Sequence, residues 1–191
     1  MGEEGAVAID QLRFDYIIYW VQRTPGSIIN IGCKDVCYYG DAFSVQVDLD
    51  AWRWENMVQA NAEHLPFKDG SFDIAILGEV LEHASSPSQM ISEACRVTRK
   101  VVVGTTPNEN EWETPHNRSS PEEDIAAHLD IPAGVNLVRR CVGFERRHSH
   151  SHIFTPESLK EVLMVKGWQG RIDHLPSHPS VFGFMLSKEL V

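Results

Sequence analysis

The order of apolar and polar positions along the chain predicts alternating helices and buried strands. Residues 10–23 carry apolar side chains at helical spacing, from Asp10 as a candidate cap to a Thr-Pro-Gly stop, which predicts an amphipathic helix. Four short apolar runs typical of buried strands follow, at SIINIG, SVQVDLD, SFDIAILGE and KVVVGTTPN. A helical segment, PSQMISEACRVTR, separates the last two runs. This β-α-β alternation predicts an α/β fold, a doubly wound and mostly parallel sheet with helices on both faces.

The strand-rich residues 27–105 form the predicted core of one domain. At 191 residues the chain has the length of a single globular domain and can bury a substantial core. Residues 106–135 show weak periodicity and many Pro, Glu and Asn residues, which predicts an insertion over the sheet edge with one short helix near 121–129.

The C-terminal part, residues 136–191, is predicted to complete the sheet. The segment TPESLKEVLMVKG has Thr155 as N-cap, Pro156 as first residue and Gly167 as stop, which predicts a helix. Three further strands are expected, near 135–143, 168–174 and 180–187.

Composition and charge limit the classes of function. No stretch approaches the roughly 18 apolar residues that a membrane span needs, so we expect no membrane partner. The first ten residues are acidic and lack the apolar region of a secretory signal, so we expect a cytoplasmic protein. A formal net charge of −10 opposes binding to a long polyanion, and nucleic acid is therefore not an expected partner. The four cysteines are expected to be buried free thiols, and the oligomeric state stays open.

Polar residues follow the predicted strands at the edge where an open parallel sheet binds ligands. In such a sheet the ligand lies beyond the carboxyl ends of the strands, where the order of winding reverses. The first strand ends near Asn30, and Gly32 and Cys33 follow it, a place where a glycine lets a ligand approach the backbone. The second strand ends at Asp48, a carboxylate suited to accept hydrogen bonds from a ribose diol. A tight turn at Gly32 and a capping role for Asp48 are the alternative interpretation.

The segment ANAEHLPFKDGSFDIAILGEVLEH, followed by MISEACRVTRKVVVGTTPNENEW, closely resembles the class I S-adenosylmethionine-dependent methyltransferases, in particular the broad methyltransferase type 11 group. The resemblance covers roughly residues 27–105, with a weaker likeness at HIFTPESLKEVLMVKGW. It implies a Rossmann-like methyltransferase fold, S-adenosylmethionine as cofactor, and methyl transfer to an oxygen or nitrogen of a small-molecule acceptor.

The same resemblance assigns cofactor contacts to the strand ends and to the loop before the third apolar run. The expected contacts are Asn30, Gly32, Cys33, Asp48, Leu49, Asn61, Ala62 and Gly78. It places Asp48 on the ribose hydroxyls and Gly32 under the methionine part. Asn61 and Ala62 are expected beside the adenine.

Two departures from the family pattern concern the first loop. The usual G-x-G motif has a second glycine where this chain has Lys34, whose side chain must point away from the cofactor or crowd it. Asp48 follows Gly32 by only 16 residues, as in a subgroup with a short first loop. These departures keep open an alternative function, a methyltransferase fold that no longer catalyses and serves as a binding or scaffold protein.

The third apolar run ends in the pattern E-x-x-E-H, formed by Glu79, Glu82 and His83. If a helical turn starts directly after the strand, the three side chains share one face at the carboxyl edge. The spacing resembles the metal-binding segment of the quinone-biosynthesis O-methyltransferases and of the small-RNA 3′-terminal 2′-O-methyltransferases. A downstream run, HSHSHIFTPE, contains further histidines, and alternation along a strand would place His148, His150 and His152 on one side.

This acid and histidine cluster has two interpretations. With a divalent cation, the candidate ligands are Glu79, Glu82, His83, His150 and His152, and the chain would be a metal-assisted methyltransferase acting on an RNA terminus. The net charge of −10 opposes that acceptor. Without a metal, Glu79, His83 and His150 are the candidate catalytic residues, with a general base among them, or the cluster only makes local hydrogen bonds.

Overall fold

A computed structural model describes residues 3–34, 44–51, 56–108, 150–175 and 180–188, with side chains from residue 12 onward. The strands are β1 Ile28–Ile31, β2 Ser44–Asp48, β3 Met57–Gln59, β4 Phe72–Gly78, β5 Thr98–Pro107, β6 Gln169–His174 and β7 Val181–Ser187. The helices are α1 Glu3–Arg23, α2 Pro87–Val97 and α3 Pro156–Val162, and a 3₁₀ turn spans Leu81–His83.

The strands form one seven-stranded sheet in the order β3-β2-β1-β4-β5-β7-β6. The first five strands are parallel, while β7 is antiparallel to both β5 and β6. The winding order reverses at β1, which pairs with β2 on one side and β4 on the other. The predicted doubly wound, mostly parallel α/β sheet is thus confirmed, and its ligand edge lies at the carboxyl ends of β1 and β4.

The helices cover both faces of this sheet. On one face, Ile17 and Trp20 of α1 belong to an apolar cluster with Ile76 and Val103. On the other face, Ile91 of α2 lies in the larger cluster that also includes residues of α3. Strands β4 and β5 are apolar at consecutive positions because both of their faces are buried.

Three elements differ from the sequence-based expectation. Helix α1 begins at Glu3, and not at Asp10, because EEGAVA consists mainly of good helix formers with acids near the positive end of the helix dipole. Strand β3 was not predicted, since its three residues are too few to show alternation. Helix α3 begins as predicted, with Thr155 capping the Ser158 N–H, but it ends at Val162, and Gly167 lies in a later turn with a φ of 83°.

Residues 106 and 107, which were predicted to open the insertion, belong to β5, which continues through Pro107. The helix predicted near 121–129 and the strand predicted near 135–143 lie outside the described residues. Cys33 and Cys95 are buried free thiols, as predicted, whereas Cys37 and Cys141 also lie outside the described ranges. None of the helices in the described part of the chain has the length and hydropathy of a membrane span.

Candidate active site

The turn after β1 is shaped by a side chain from the neighbouring strand end. Gly32 has a φ of 70°, in the left-handed region that favours glycine. A Cβ atom at this position would lie 2.2 Å from Cγ2 of Val80. Gly32 was predicted to let a ligand approach the backbone, but Val80 fills the space where a Cβ atom would lie.

Asp48, at the end of β2, holds the same turn through its carboxylate. Its Oδ2 accepts a hydrogen bond from the Lys34 N–H at 3.0 Å, and its Oδ1 accepts one from the Asp50 N–H at 3.1 Å. Lys34 has a φ of 41°, so it keeps the left-handed backbone that a glycine would favour. Each carboxylate oxygen has a second lone pair, and Asp48 therefore retains the capacity to accept two ribose hydroxyls.

The loop after β3 lies at this edge beside Asp48. The Ala60 N–H donates to the Asp48 carbonyl oxygen at 2.8 Å. The exposed Asn61 accepts the Glu63 N–H on its Oδ1. Leu49, which follows Asp48, is 53% exposed. The ends of β2 and β3 thus carry an exposed apolar side chain and an exposed amide side chain.

Helix α2 fixes the LPF segment that follows this loop. Arg96 donates to the carbonyl oxygens of Leu65 and Phe67, and Glu93 accepts the Leu65 N–H at 2.8 Å. Hydrogen bonds from Arg96 hold the pKa of Glu93 below its usual range. Neither charged residue was among the predicted site residues, and their spacing of three on one helix was the signal that could have found them. Ala62, three residues before Leu65, packs half-buried against the core.

Two predicted cofactor residues have their side chains inside the protein. Asn30 is 2% exposed and donates to Oε1 of Gln46 at 2.8 Å within the sheet. Cys33 is 1% exposed, and its Sγ lies 3.9 Å from Sδ of Met57. Contact of these two residues with a ligand at the edge would therefore involve their backbone, and it stays a prediction. Gly78, the half-buried last residue of β4, does lie at the edge.

Glu79 does not belong to the group of side chains that its sequence pattern predicted. Its φ of 52° breaks the chain direction directly after β4, and its N–H donates to the Thr105 carbonyl oxygen at 3.0 Å. The 3₁₀ turn begins only at Leu81. The carboxylate of Glu79 instead forms an ion pair with Arg13 of α1, at 3.0 Å. The prediction that Glu79 shares one face with Glu82 and His83 is wrong, because a left-handed residue separates the strand from the turn.

Glu82, His83 and His150 form a compact group of possible metal ligands. Glu82 is 1% exposed, and its Oε2 accepts a hydrogen bond from Thr106 Oγ1 at 3.0 Å. Its Oε1 lies 3.8 Å from Nε2 of His83, whose ring centroid is 5.0 Å from that of His150. One donor atom from each of these three residues lies within 4.8 Å of the others. A carboxylate and two imidazoles are suitable ligands for a divalent transition metal.

The carboxyl group of Glu82 is costly to ionise at this position. Burial raises the pKa of Glu82 well above 4.5, and the negative charge of Glu79 raises it further. The hydrogen bond from Thr106 and the positive charge of Arg13 act in the opposite direction. A cation beside Glu82 would compensate the buried charge, because a metal replaces the proton of its ligand.

Of the two described histidines after residue 149 that were predicted as ligands, His150 belongs to this group and His152 does not. The N–H groups of Ser151 and His152 both donate to the Glu82 carbonyl oxygen, at 2.8 and 3.1 Å. No strand forms at residues 150–154, so the predicted alternation of side chains along a strand is wrong. The His150 ring faces His83, while the His152 ring stacks on Phe154 with 6.2 Å between the ring centroids. His148 lies outside the described residues.

Sequence comparison adds a family match over the centre of the chain. A family model described as a methyltransferase domain matches residues 40–102, which include Asp48 and the E-x-x-E-H pattern. An uncharacterized protein of Methanocaldococcus jannaschii is 43% identical over 51 residues, and the match covers 25% of each chain. The chain thus aligns with about a quarter of the length of this curated relative.

Comparison of folds finds solved methyltransferases that cover nearly the whole chain. An S-adenosylmethionine-dependent methyltransferase of Thermotoga maritima, a possible histamine N-methyltransferase, has a TM-score of 0.58 and 13% identity, covering 94% of this chain and 89% of that one. A second S-adenosylmethionine-dependent methyltransferase, from Aquifex aeolicus, has a TM-score of 0.58 and 12% identity, and the match covers 92% of this chain and 90% of that one. The plantazolicin methyltransferase BpumL, solved with S-adenosylhomocysteine, has a TM-score of 0.57 and 10% identity, covering 94% and 84%.

At identities this low the solved structures indicate a shared fold and give no information about a shared substrate. Residues 40–102 thus resemble a methyltransferase domain in sequence, and the chain shares its α/β fold with S-adenosylmethionine-dependent methyltransferases.

Proposed function

We propose that this chain transfers the methyl group of S-adenosylmethionine to an oxygen or nitrogen of a small-molecule acceptor. The observation that carries this proposal is the position of Asp48, whose carboxylate ends β2 and holds the Lys34 turn at the reversal point of the sheet. Beside it, the exposed Leu49 offers an apolar surface for the adenine. The types of these residues, a carboxylate and an apolar side chain at the reversal point, support the proposal.

In this proposal, Asp48 accepts the ribose hydroxyls and Asn61 contacts the adenine edge, with Leu49 and Ala62 beside the ring. The backbone at Gly78 and the turn at Gly32 then lie near the methionine part.

S-adenosylmethionine supplies a reactive methyl sulfonium, so the chain must orient the acceptor and remove its proton. His83 and His150 are half-buried, with ring centroids 5.0 Å apart, and in this proposal either imidazole takes that proton. Glu79 is the weaker candidate base, because its carboxylate is already paired with Arg13.

The cofactor part of the proposal is tested by calorimetric titration of S-adenosylhomocysteine. We expect the wild type to bind and Asp48→Asn to bind at least about tenfold more weakly, since charge-assisted hydrogen bonds to the ribose are lost. Glu161→Gln, an exposed acid near the end of α3, is the control and should bind as the wild type does. Equal affinity in Asp48→Asn would overturn this placement of the ribose. A wild type that binds no cofactor would favour the scaffold alternative.

The acceptor class is tested with methyl-labelled S-adenosylmethionine and separate pools of small metabolites and RNA. We expect label in the small-molecule pool, because the net charge of −10 opposes binding to RNA. Label found in RNA, and none in small molecules, would overturn the acceptor class while leaving the cofactor site intact.

Metal-assisted methyl transfer is a second candidate, and the grouping of Glu82, His83 and His150 favours it. A divalent ion held there would orient an acceptor oxygen and favour its deprotonated form. Titration of Mn²⁺, Co²⁺, Zn²⁺ or Mg²⁺ into chelator-treated protein tests this candidate. His150→Ala should weaken binding at least about tenfold, whereas His152→Ala should not, because His152 lies against Phe154 outside the group. No binding of any ion to the wild type would exclude the metal-assisted candidate.

A further inference from the structure

We propose that two copies of this chain pair through their β6 strands, so that the sheet continues from one copy into the other across a two-fold axis at Ile172. This inference does not depend on the proposed function. It rests on the exposed edge of β6, on the order of the charges along this strand and on the apolar groove beside it.

Strand β6 is an exposed edge of the sheet. In the described part of the chain it pairs with β7 alone, and Gln169, Gly170, Arg171 and His174 are exposed. An edge strand has backbone N–H and C=O groups that can pair with another strand, and proteins often block such an edge with a proline or a bulge. Strand β6 contains no proline, and its register with β7 is continuous over all six residues. Its backbone can therefore accept a partner strand.

The two charged side chains of β6 lie on either side of Ile172 and point to the face of the sheet that α1 covers. Tyr16 of α1 donates to Asp173 Oδ2 at 2.9 Å. The Arg171 guanidinium lies 5.5 Å from the Trp20 ring, and its Nε donates to Asp173 Oδ1 at 3.1 Å. The guanidinium has further N–H donors, and Asp173 Oδ2 has a further lone pair. Both groups can thus take a second partner without losing the first.

An antiparallel pair centred on Ile172 brings the charges of two copies together. Residues opposite each other in such a pair point to the same face of the sheet. With Ile172 opposite its own copy, Arg171 of each chain lies opposite Asp173 of the other. A pair centred on Arg171 or on Asp173 would instead place like charges directly opposite, which is destabilising. The charges therefore favour a second copy of this chain as the partner, in one register.

The other face of β6 supplies apolar surface to the same pair. Ile172 points to this face and packs against the larger apolar cluster. It lines a groove between α3 and β6 together with Trp168 and with Met164, which is 77% exposed. An exposed methionine beside an apolar groove is typical of a surface that a partner covers. In the two-fold pair, the Ile172 side chains of the two copies lie opposite each other on this face.

The oligomeric state of the whole chain tests the pairing. In sedimentation velocity, we expect the wild type to become dimeric as its concentration is raised to about 100 µM. Arg171→Glu places two carboxylates opposite each other at both ends of the pair, so it should weaken the dimer at least about tenfold. Lys68→Glu is the control, because it makes the same change of charge at an exposed residue before β4. It should form a dimer as the wild type does.

A cysteine cross-link tests the register. Opposite Cα atoms of an antiparallel pair lie roughly 4.5–5.5 Å apart, within the roughly 4.4–6.8 Å that a disulfide spans. Ile172→Cys should therefore give a disulfide-linked dimer under a mild oxidant, as a non-reducing gel can show. His174→Cys is the control, because the two copies of residue 174 would lie four residues apart along the strands, or roughly 13 Å. The wild type gives the background of the native cysteines.

The results that would overturn the pairing are distinct. A wild type that stays monomeric over the whole concentration range would do so, as would equal dimer affinity for the wild type and Arg171→Glu. Cross-linking of His174→Cys but not of Ile172→Cys would overturn the register. Assemblies larger than a dimer would overturn the two-fold axis, because a closed pair ends at two copies. Binding of S-adenosylhomocysteine is measured separately, so failure of the pairing leaves the proposed function standing.

Discussion

The Gly32→Ala substitution tests the packing that closes the turn after β1. Alanine at a φ of 70° costs about 1–2 kcal/mol relative to glycine. The added methyl group would also lie 2.2 Å from Cγ2 and 2.7 Å from Cβ of Val80, far inside the roughly 3.5–4.0 Å of a good carbon contact. Such overpacking typically costs about 1–3 kcal/mol. We therefore expect Gly32→Ala to lower the free energy of unfolding by about 2–5 kcal/mol.

Urea unfolding of three further variants separates the two contributions. Gly167 has a φ of 83°, and a Cβ atom added to it would have no neighbour within 4 Å, so Gly167→Ala should show the backbone cost alone. Val80→Ala removes the methyl group that would lie 2.2 Å from the added Cβ, but it keeps the Cβ atom of residue 80. The double variant Gly32→Ala/Val80→Ala should therefore be about 1–2 kcal/mol more stable than the sum of the two single losses predicts. Equal losses for Gly32→Ala and Gly167→Ala, with strict additivity in the double variant, would refute the contact between Gly32 and Val80.

Three other variants or reactions test the rest of the site. Because the folded pKa of Glu82 lies well above 4.5, the folded protein keeps a proton that the unfolded chain loses. The contribution of Glu82 to the free energy of unfolding is complete below pH 4.5 and decreases as the pH rises. With chelator present, the melting temperature of Glu82→Gln should therefore increase relative to that of the wild type from about pH 5 to 8. A difference in melting temperature that does not depend on pH would contradict this. A double-mutant cycle of Arg13→Gln and Glu79→Gln should give a coupling of up to about 1 kcal/mol, and zero coupling would argue against the ion pair. Burial raises the pKa of Cys95 to about 12, so iodoacetamide at about pH 8 should label it only after unfolding, as site-resolved mass spectrometry can show.

The sheet was predictable from local pattern, because β4 and β5 are buried on both faces and appear as continuous apolar runs. Their adjacent helix α2 was predictable from its apolar spacing. The three residues of β3 were not, since their strand conformation depends on pairing with β2 and not on their own pattern.

The residue types of the site were also predictable, and so was part of their grouping. Glu82, His83 and His150 were expected among the ligands of one site, and the structure does bring them together. Glu79 was expected as a further ligand, yet its backbone N–H donates to the Thr105 carbonyl oxygen and its carboxylate is paired with Arg13. These partners lie many residues away in sequence, and spacing along one segment carries no information about them.

The antiparallel β7 lies between β5 and β6 in the sheet. During synthesis, the edge of β5 therefore stays unpaired until residues 181–187 have left the ribosome, and β6 has no neighbour in the sheet before that point. An open edge beside a strand buried on both faces is a template for pairing with other chains. Loss of only the last strand would thus expose the middle of the sheet, so that a chain interrupted near residue 180 should aggregate and not fold as a shorter domain. Folding of this sheet has to wait for β7, although the candidate cofactor edge is formed by residues made long before it.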